Sequence, residues 1–134
     1  MAKPIKLSEE DAIQAEIIDL LKVAAIPGLL YFAVPNGGKR AMSTARTLKA
    51  TGQKPGIFDI VLVHPGRGTA FFMEVKTKTG SLSKDQREFR DYCHANNLPW
   101  AVVRSRDEAQ AVLARWKLIT VTEFVRPIYR GAQG

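Results

Sequence analysis

Cysteine and histidine are almost missing from this chain. Cys93 is the single cysteine, and His64 and His94 are the only histidines. One thiol cannot form an internal disulfide framework or a CxxC metal site, and a single cysteine with two histidines supplies too few ligands to suggest a zinc centre. Long apolar runs are missing as well. The longest weakly polar stretch, residues 23–34, is 12 residues long and is interrupted by Pro27 and Gly28, too short to cross a bilayer. The N-terminal stretch "MAKPIKLSEEDAI" turns acidic where a signal peptide would be apolar, so the expected location is the cytoplasm. We find no repeats, low-complexity tracts or linkers, and 134 residues suit one domain able to bury a core.

The most informative absence is one of charge sign. Between Leu20 and Phe58 there is no acidic residue, while Lys22, Lys39, Arg40, Arg46, Lys49 and Lys54 are all present. The chain as a whole carries a formal +7. A one-sign block of this kind attracts polyanions, with nucleic-acid backbone the commonest candidate; the alternative is a solvated basic face.

What is present reads as alternating helices and strands. Ser8-x-x-Asp11 resembles a capping box, with three acids in the first turn where the helix dipole favours them. Ile13, Ile17, Leu20, Leu21 and Ala24 follow at helical spacing until Pro27 and Gly28 end the helix. "LLYFAV" (29–34) reads as a strand stopped by the turn cluster "PNGG". Residues 39–51 form either a short basic helix before Gly52 or a loop. "IFDIVLV" (57–63) and "TAFFMEVK" (69–76) are strands close enough across "HPGRG" to pair antiparallel. Ser83-x-x-Gln86 opens a helix with Phe89, Tyr92 and Cys93 expected inside, and "WAVVR" (100–104) is a strand. Ser105-x-x-Glu108 caps a last helix burying Ala109, Val112, Leu113 and Trp116, and "LITVTEFV" offers a further edge strand. The order α-β-(α)-β-β-α-β-α implies an α/β fold, a mixed sheet flanked by helices. The core is expected at about 9–116, with 117–134 as a tail.

Two charges stand out in the second of the paired strands. Alternation puts Phe71, Met73 and Val75 on one face and Phe72, Glu74 and Lys76 on the other. Asp59 lies 15 residues before Glu74, and a hairpin between the strands sets the two carboxylates roughly opposite each other. Such a pair repels unless a cation lies between, and oxygen donors from Asp and Glu with water suit Mg²⁺ or Mn²⁺. Lys76 adds a fixed positive charge beside them, so Asp-x₁₅-Glu-x-Lys is a plausible hydrolytic site. The competing reading is structural: Glu74 and Lys76 neutralise each other, and Asp59 meets one of the many basic residues.

The ordered set "KPGIFDIVLV…FFMEVKTKTGSLSKDQREF…WAVVRSRDEA" resembles the VRR-NUC family of the PD-(D/E)XK nuclease superfamily. Upstream, "VPNGGKRAMSTARTLKATGQKPG" is similar to the family's segment before the first acid, so the likeness spans about residues 9–113. Phe58 departs from the pattern, standing where the superfamily usually has proline. The resemblance implies a restriction-endonuclease-like core and a divalent-metal-dependent DNA endonuclease using Mg²⁺, with Mn²⁺ able to substitute. By the same likeness Asp59 and Glu74 are metal ligands, with the Val75 carbonyl a third and Glu16 on the first helix an outer one. Lys76 acts on the water or the phosphate, and Gln86 lies near the active site while also serving as a helix cap. Asn36, Lys39, Arg40, Arg46 and Lys49 are expected to hold DNA backbone. With no base-reading helix, recognition should depend on DNA structure, and a homodimer acting on branched or four-way DNA is implied. Small size points to a phage-encoded protein acting in a bacterial host. The other functions in view are a non-catalytic nucleic-acid-binding module of the same fold and a protein-interaction domain.

Overall fold

A computed structural model describes residues 5–35, 46–47 and 49–120. Helix α1 spans Glu9–Ala24. Ser8 Oγ accepts the Asp11 N–H at 3.1 Å, and Glu9, Glu10 and Asp11 fill the first turn, where the free N–H groups favour negative charge. Strand β1 (Leu30–Ala33) follows, then β2 (Ile60–Val63) and β3 (Ala70–Val75). Helix α2 (Lys84–Ala95) crosses to strand β4 (Trp100–Val103), and helix α3 (Arg106–Arg115) closes the series. Residues 46, 47, 49 and 50 are helical, as the short-helix reading before Gly52 requires.

The four strands form one mixed sheet in the order β1-β2-β3-β4. The first two pairings are antiparallel and β3 pairs parallel with β4, so only this last connection needs a crossover, which α2 provides. The register sets Ile60 opposite Met73 and Leu62 opposite Phe71, with Val75 beside Val103. Their side chains share one face and pack with Ile17, Leu20 and Leu21 of α1 and Ala109 and Leu113 of α3 into the main core.

The opposite face carries Val61, Phe72 and Glu74, and α2 covers it. Here Phe89 meets Phe72 edge-on with ring centroids 5.0 Å apart, and meets Phe58 at 5.1 Å. Phe58 is fully buried, so it anchors this second cluster instead of joining the main core. That corrects simple alternation: the regular strand begins at Ile60, not at residue 57, and a bend at Asp59 turns Phe58 toward α2.

Three other expectations change. Tyr92 is 59 % exposed, since only Phe89 and Cys93 of its helix are needed to meet the sheet. Glu108 does not complete a capping box on Ser105. Its carboxylate reaches one residue further back and accepts the Arg104 N–H at 2.8 Å, while Ser105 Oγ accepts the Glu108 N–H. The segment after α3 makes an isolated antiparallel bridge, Ile119 with Ala25, and so ties to the end of α1 instead of extending the sheet. The remainder of "LITVTEFV" lies outside the described residues. No helix among the described residues is long and apolar enough to cross a membrane.

Candidate active site

The β2–β3 register, continued by one rung, brings Asp59 opposite Glu74. The two interlock through the backbone. Asp59 N–H donates to Glu74 Oε1 at 3.1 Å, and Val75 N–H donates to Asp59 Oδ2 at 2.9 Å. Glu74 thus accepts from the main chain of Asp59 itself, and Asp59 from that of Val75, next to Glu74, so each side chain is tied to the backbone of the opposing strand. Asp59 is 8 % exposed and Glu74 1 %, so both are taken largely out of water.

Glu74 Oε2 faces two donors. Gln86 Nε2 lies 2.8 Å away and Lys76 Nζ 3.7 Å away, with the lysine side chain itself mostly buried. Gln86 performs two tasks with one amide. Its Oε1 accepts the Ser83 N–H at 2.9 Å while Ser83 Oγ accepts the Gln86 N–H at 3.1 Å, a complete capping box. With the oxygen committed to the cap, the NH₂ is left to point at Glu74. The helix start that covers the sheet therefore also orients the buried glutamate.

Electrostatically the pair is under tension. Burial pushes the Glu74 carboxyl up to about 8; repulsion from Asp59 adds to this, and Lys76 opposes it. A group so placed takes up either a proton or a cation at neutral pH. The donors at hand are carboxylate oxygens, the type that hard divalent ions take. Mg²⁺ in particular is held by one or two carboxylates and completes its shell with water and substrate phosphate. The residues present thus fit a divalent metal of that kind.

The remaining sequence-predicted residues fall into three groups. Glu16 sits exposed on α1, and among the described residues no group of three His, Cys, Asp or Glu side chains is placed to hold a metal. It is therefore not gathered with Asp59 and Glu74. Arg46 and Lys49 are exposed on the helical turn before Gly52. Asn36, Lys39 and Arg40 lie outside the described residues.

One arrangement escaped the sequence. Arg104 Nη1 donates to the carbonyls of Thr77 and Gly80, both at 2.6 Å, and so clamps the loop that joins β3 to α2. These partners lie 24 and 27 residues away, and no local pattern announces them. The glycines Gly56 and Gly80 are also tight. A Cβ on Gly56, whose φ is +85°, would fall 2.5 Å from the Asp85 backbone at the start of α2.

A mixed four-stranded sheet presenting an aspartate opposite a Glu-x-Lys strand, with helices on both faces, defines a nuclease-type α/β core. Residues 31–107, more than half of the chain, match the VRR-NUC domain, and the chain belongs to that family of PD-(D/E)XK-like nuclease domains. Two solved structures are similar in fold. A VRR_NUC domain protein shares 18 % identity at a TM-score of 0.68, covering 85 % of this chain and 93 % of its own. A second structure, a VRR_NUC domain, shares 16 % at a TM-score of 0.56, covering 81 % and 97 %. Among curated proteins none matches. A nuclease domain implies nucleic acid as the partner class.

Proposed function

We propose that this chain is a divalent-metal-dependent DNA endonuclease that hydrolyses phosphodiester bonds, with a preference for branched or four-way DNA. The observation that carries the reading is the Asp59–Glu74 interlock with Gln86 and Lys76 on the second carboxylate. A purely structural ion pair needs one acid and one base. Here a second buried acid, Asp59, lies beside the Glu74–Lys76 pair, more carboxylate than that pair requires.

Asp59 and Glu74 would hold the metal, Mg²⁺ by preference with Mn²⁺ as a substitute, and the Val75 carbonyl would add a third oxygen. Glu16 stands outside this set. When bound, such an ion lowers the pKa of a water and shields charge building on the phosphate. The chain's own residues do the rest. Gln86 holds Glu74 in one rotamer, so the ligand is oriented before the substrate arrives. Lys76, tethered to Glu74, presents its ammonium on the same face, where it orients the nucleophile or meets the phosphate oxygens. The basic block from Lys39 to Lys49, with Asn36, would grip backbone phosphates without reading bases.

A homodimer is part of this reading. Strand β1 is an edge of the sheet, and its Leu30 and Phe32 are 55 % and 45 % exposed, apolar surface suited to cover by a second copy. Two copies would offer two sites to a branched substrate.

Incubating the protein with linear, flapped and four-way DNA, in Mg²⁺ or in EDTA, tests the proposal. Mg²⁺-dependent cleavage that is strongest on the four-way substrate and lost in Lys76→Ala is expected. Binding without cleavage would instead indicate a non-catalytic module of the same fold.

A further inference from the structure

Arg104 shares a sheet rung with Lys76. Lys76 N–H donates to the Val103 carbonyl at 3.0 Å, which continues the parallel β3–β4 pattern one step beyond Val75 and Val103. In that pattern Lys76 lies beside Arg104, just past the ends of the two strands, with neighbouring strands only ~4.8 Å apart; the contacts of the two side chains, and not the pleat, bring them together. Lys76 also runs past Gly80, its Cδ 3.7 Å from where a Cβ on that glycine would stand. The Gly80 carbonyl is one of the two that Arg104 Nη1 holds. Two cations therefore flank one glycine at the edge of the carboxylate pair.

The clamp does not neutralise the arginine. Its two partners are carbonyl oxygens, and among the described residues no carboxylate forms an ion pair with the guanidinium. Of the two acids nearest in sequence, Asp107 pairs with Arg106 and Glu108 accepts the Arg104 main-chain N–H. The side chain is half-buried, so part of it remains open to solvent. A guanidinium carries five N–H donors in a planar fork, and two carbonyls on Nη1 alone leave the Nη2 and Nε edge to offer. Held in one orientation before binding, that edge loses little entropy on meeting an anion.

We infer that Arg104 is a phosphate-binding residue of the site, contacting the backbone phosphate next to the one over Asp59, Glu74 and Lys76. This rests on the nuclease reading above and adds to it a second cation, one strand further out than Lys76. A simple structural clamp would need the two carbonyl contacts but would not need an uncompensated charge on the substrate face.

The test measures DNA affinity in EDTA, where no cleavage intervenes, across a series of salt concentrations for wild type, Arg104→Gln and Arg104→Lys. Loss of one phosphate contact lowers the slope of log K against log salt by roughly 0.9 on duplex DNA, the expectation for Arg104→Gln. Arg104→Lys keeps the charge and should keep the slope. In Mg²⁺, a single uncharged methylphosphonate at the flanking position should slow wild-type cleavage and leave the already slower Arg104→Gln unaffected. A folded Arg104→Gln with wild-type slope and undiminished methylphosphonate sensitivity overturns the assignment while leaving the nuclease reading intact. A wild-type protein that neither binds nor cuts DNA overturns both. Should Arg104→Gln fail to fold, phenylglyoxal labelling of the wild-type protein decides: DNA should protect Arg104, and equal labelling with and without DNA contradicts the contact.

Discussion

Gln86 Nε2 donates to Glu74 Oε2 at 2.8 Å while the same side chain's Oε1 caps the start of α2. One amide thus couples the stability of a helix to the orientation of a buried carboxylate. The two tasks can be separated by substitution. Gln86→Glu keeps an acceptor for the Ser83 N–H, so the cap should survive, but it sets a second acid against Glu74. We expect a melting temperature at pH 6 near wild type and DNA cleavage lowered roughly tenfold or more, about 1.4 kcal/mol in the barrier. Gln86→Ala removes both contacts and should also cost about 1 kcal/mol of stability. Urea unfolding and cleavage rates on the two variants check this.

Glu74 makes the metal-free protein sensitive to rising pH. Its carboxyl in the folded state titrates at about 8 against an ordinary value of 4.5. Between those values the folded state holds a proton that the unfolded chain has released, so stability falls as pH rises through the window. The loss is on the order of a few kcal/mol. Urea midpoints in EDTA should decline from pH 5 to pH 9, and Glu74→Gln should flatten the decline. Because the ion needs the ionised carboxylate, Mg²⁺ should stabilise the protein more at pH 8 than at pH 5.

Gly56 is required by space as well as by backbone conformation. Its φ of +85° and the 2.5 Å approach of a hypothetical Cβ to Asp85 mean that Gly56→Ala must push residues 54–58 off the start of α2. Asp59 follows directly. We expect a loss of about 1–3 kcal/mol and a fall in cleavage beyond what the stability change explains. Gly52→Ala is the control: its φ is +90°, yet nothing lies within 4 Å, so only backbone strain applies and cleavage should persist.

Phe58 replaces the proline usual in the superfamily and serves packing. It is fully buried against Phe89. Phe58→Ala should cost about 3–5 kcal/mol. Phe58→Leu, which fills most of the volume, should cost less and retain Mg²⁺-dependent cleavage. Chemical denaturation with cleavage measured well below the midpoint separates the two effects.

The opposition of Asp59 and Glu74 was legible because strand alternation and a short turn leave few other registers. Gln86 was half legible: the cap is a local pattern four residues long, whereas its contact with Glu74 depends on where α2 lands on the sheet. The Arg104 clamp was not legible, since its partners are carbonyls that any sequence would supply. Alternation failed at Phe58 because the chain bends at Asp59, and helical periodicity over-counted at Tyr92 because the face that meets the sheet is narrower than the apolar stripe.

If Asp59 and Glu74 together hold a divalent ion for phosphodiester hydrolysis, the cleavage rate of labelled four-way DNA must depend on both carboxylates and on the metal. The measurement compares wild type, Asp59→Asn and Glu74→Gln at saturating Mg²⁺ and in EDTA. Wild type should cut in Mg²⁺ and not in EDTA, and each variant should lose at least about a hundredfold. Cutting in EDTA, or either variant working at the wild-type rate, would contradict that role of the two acids.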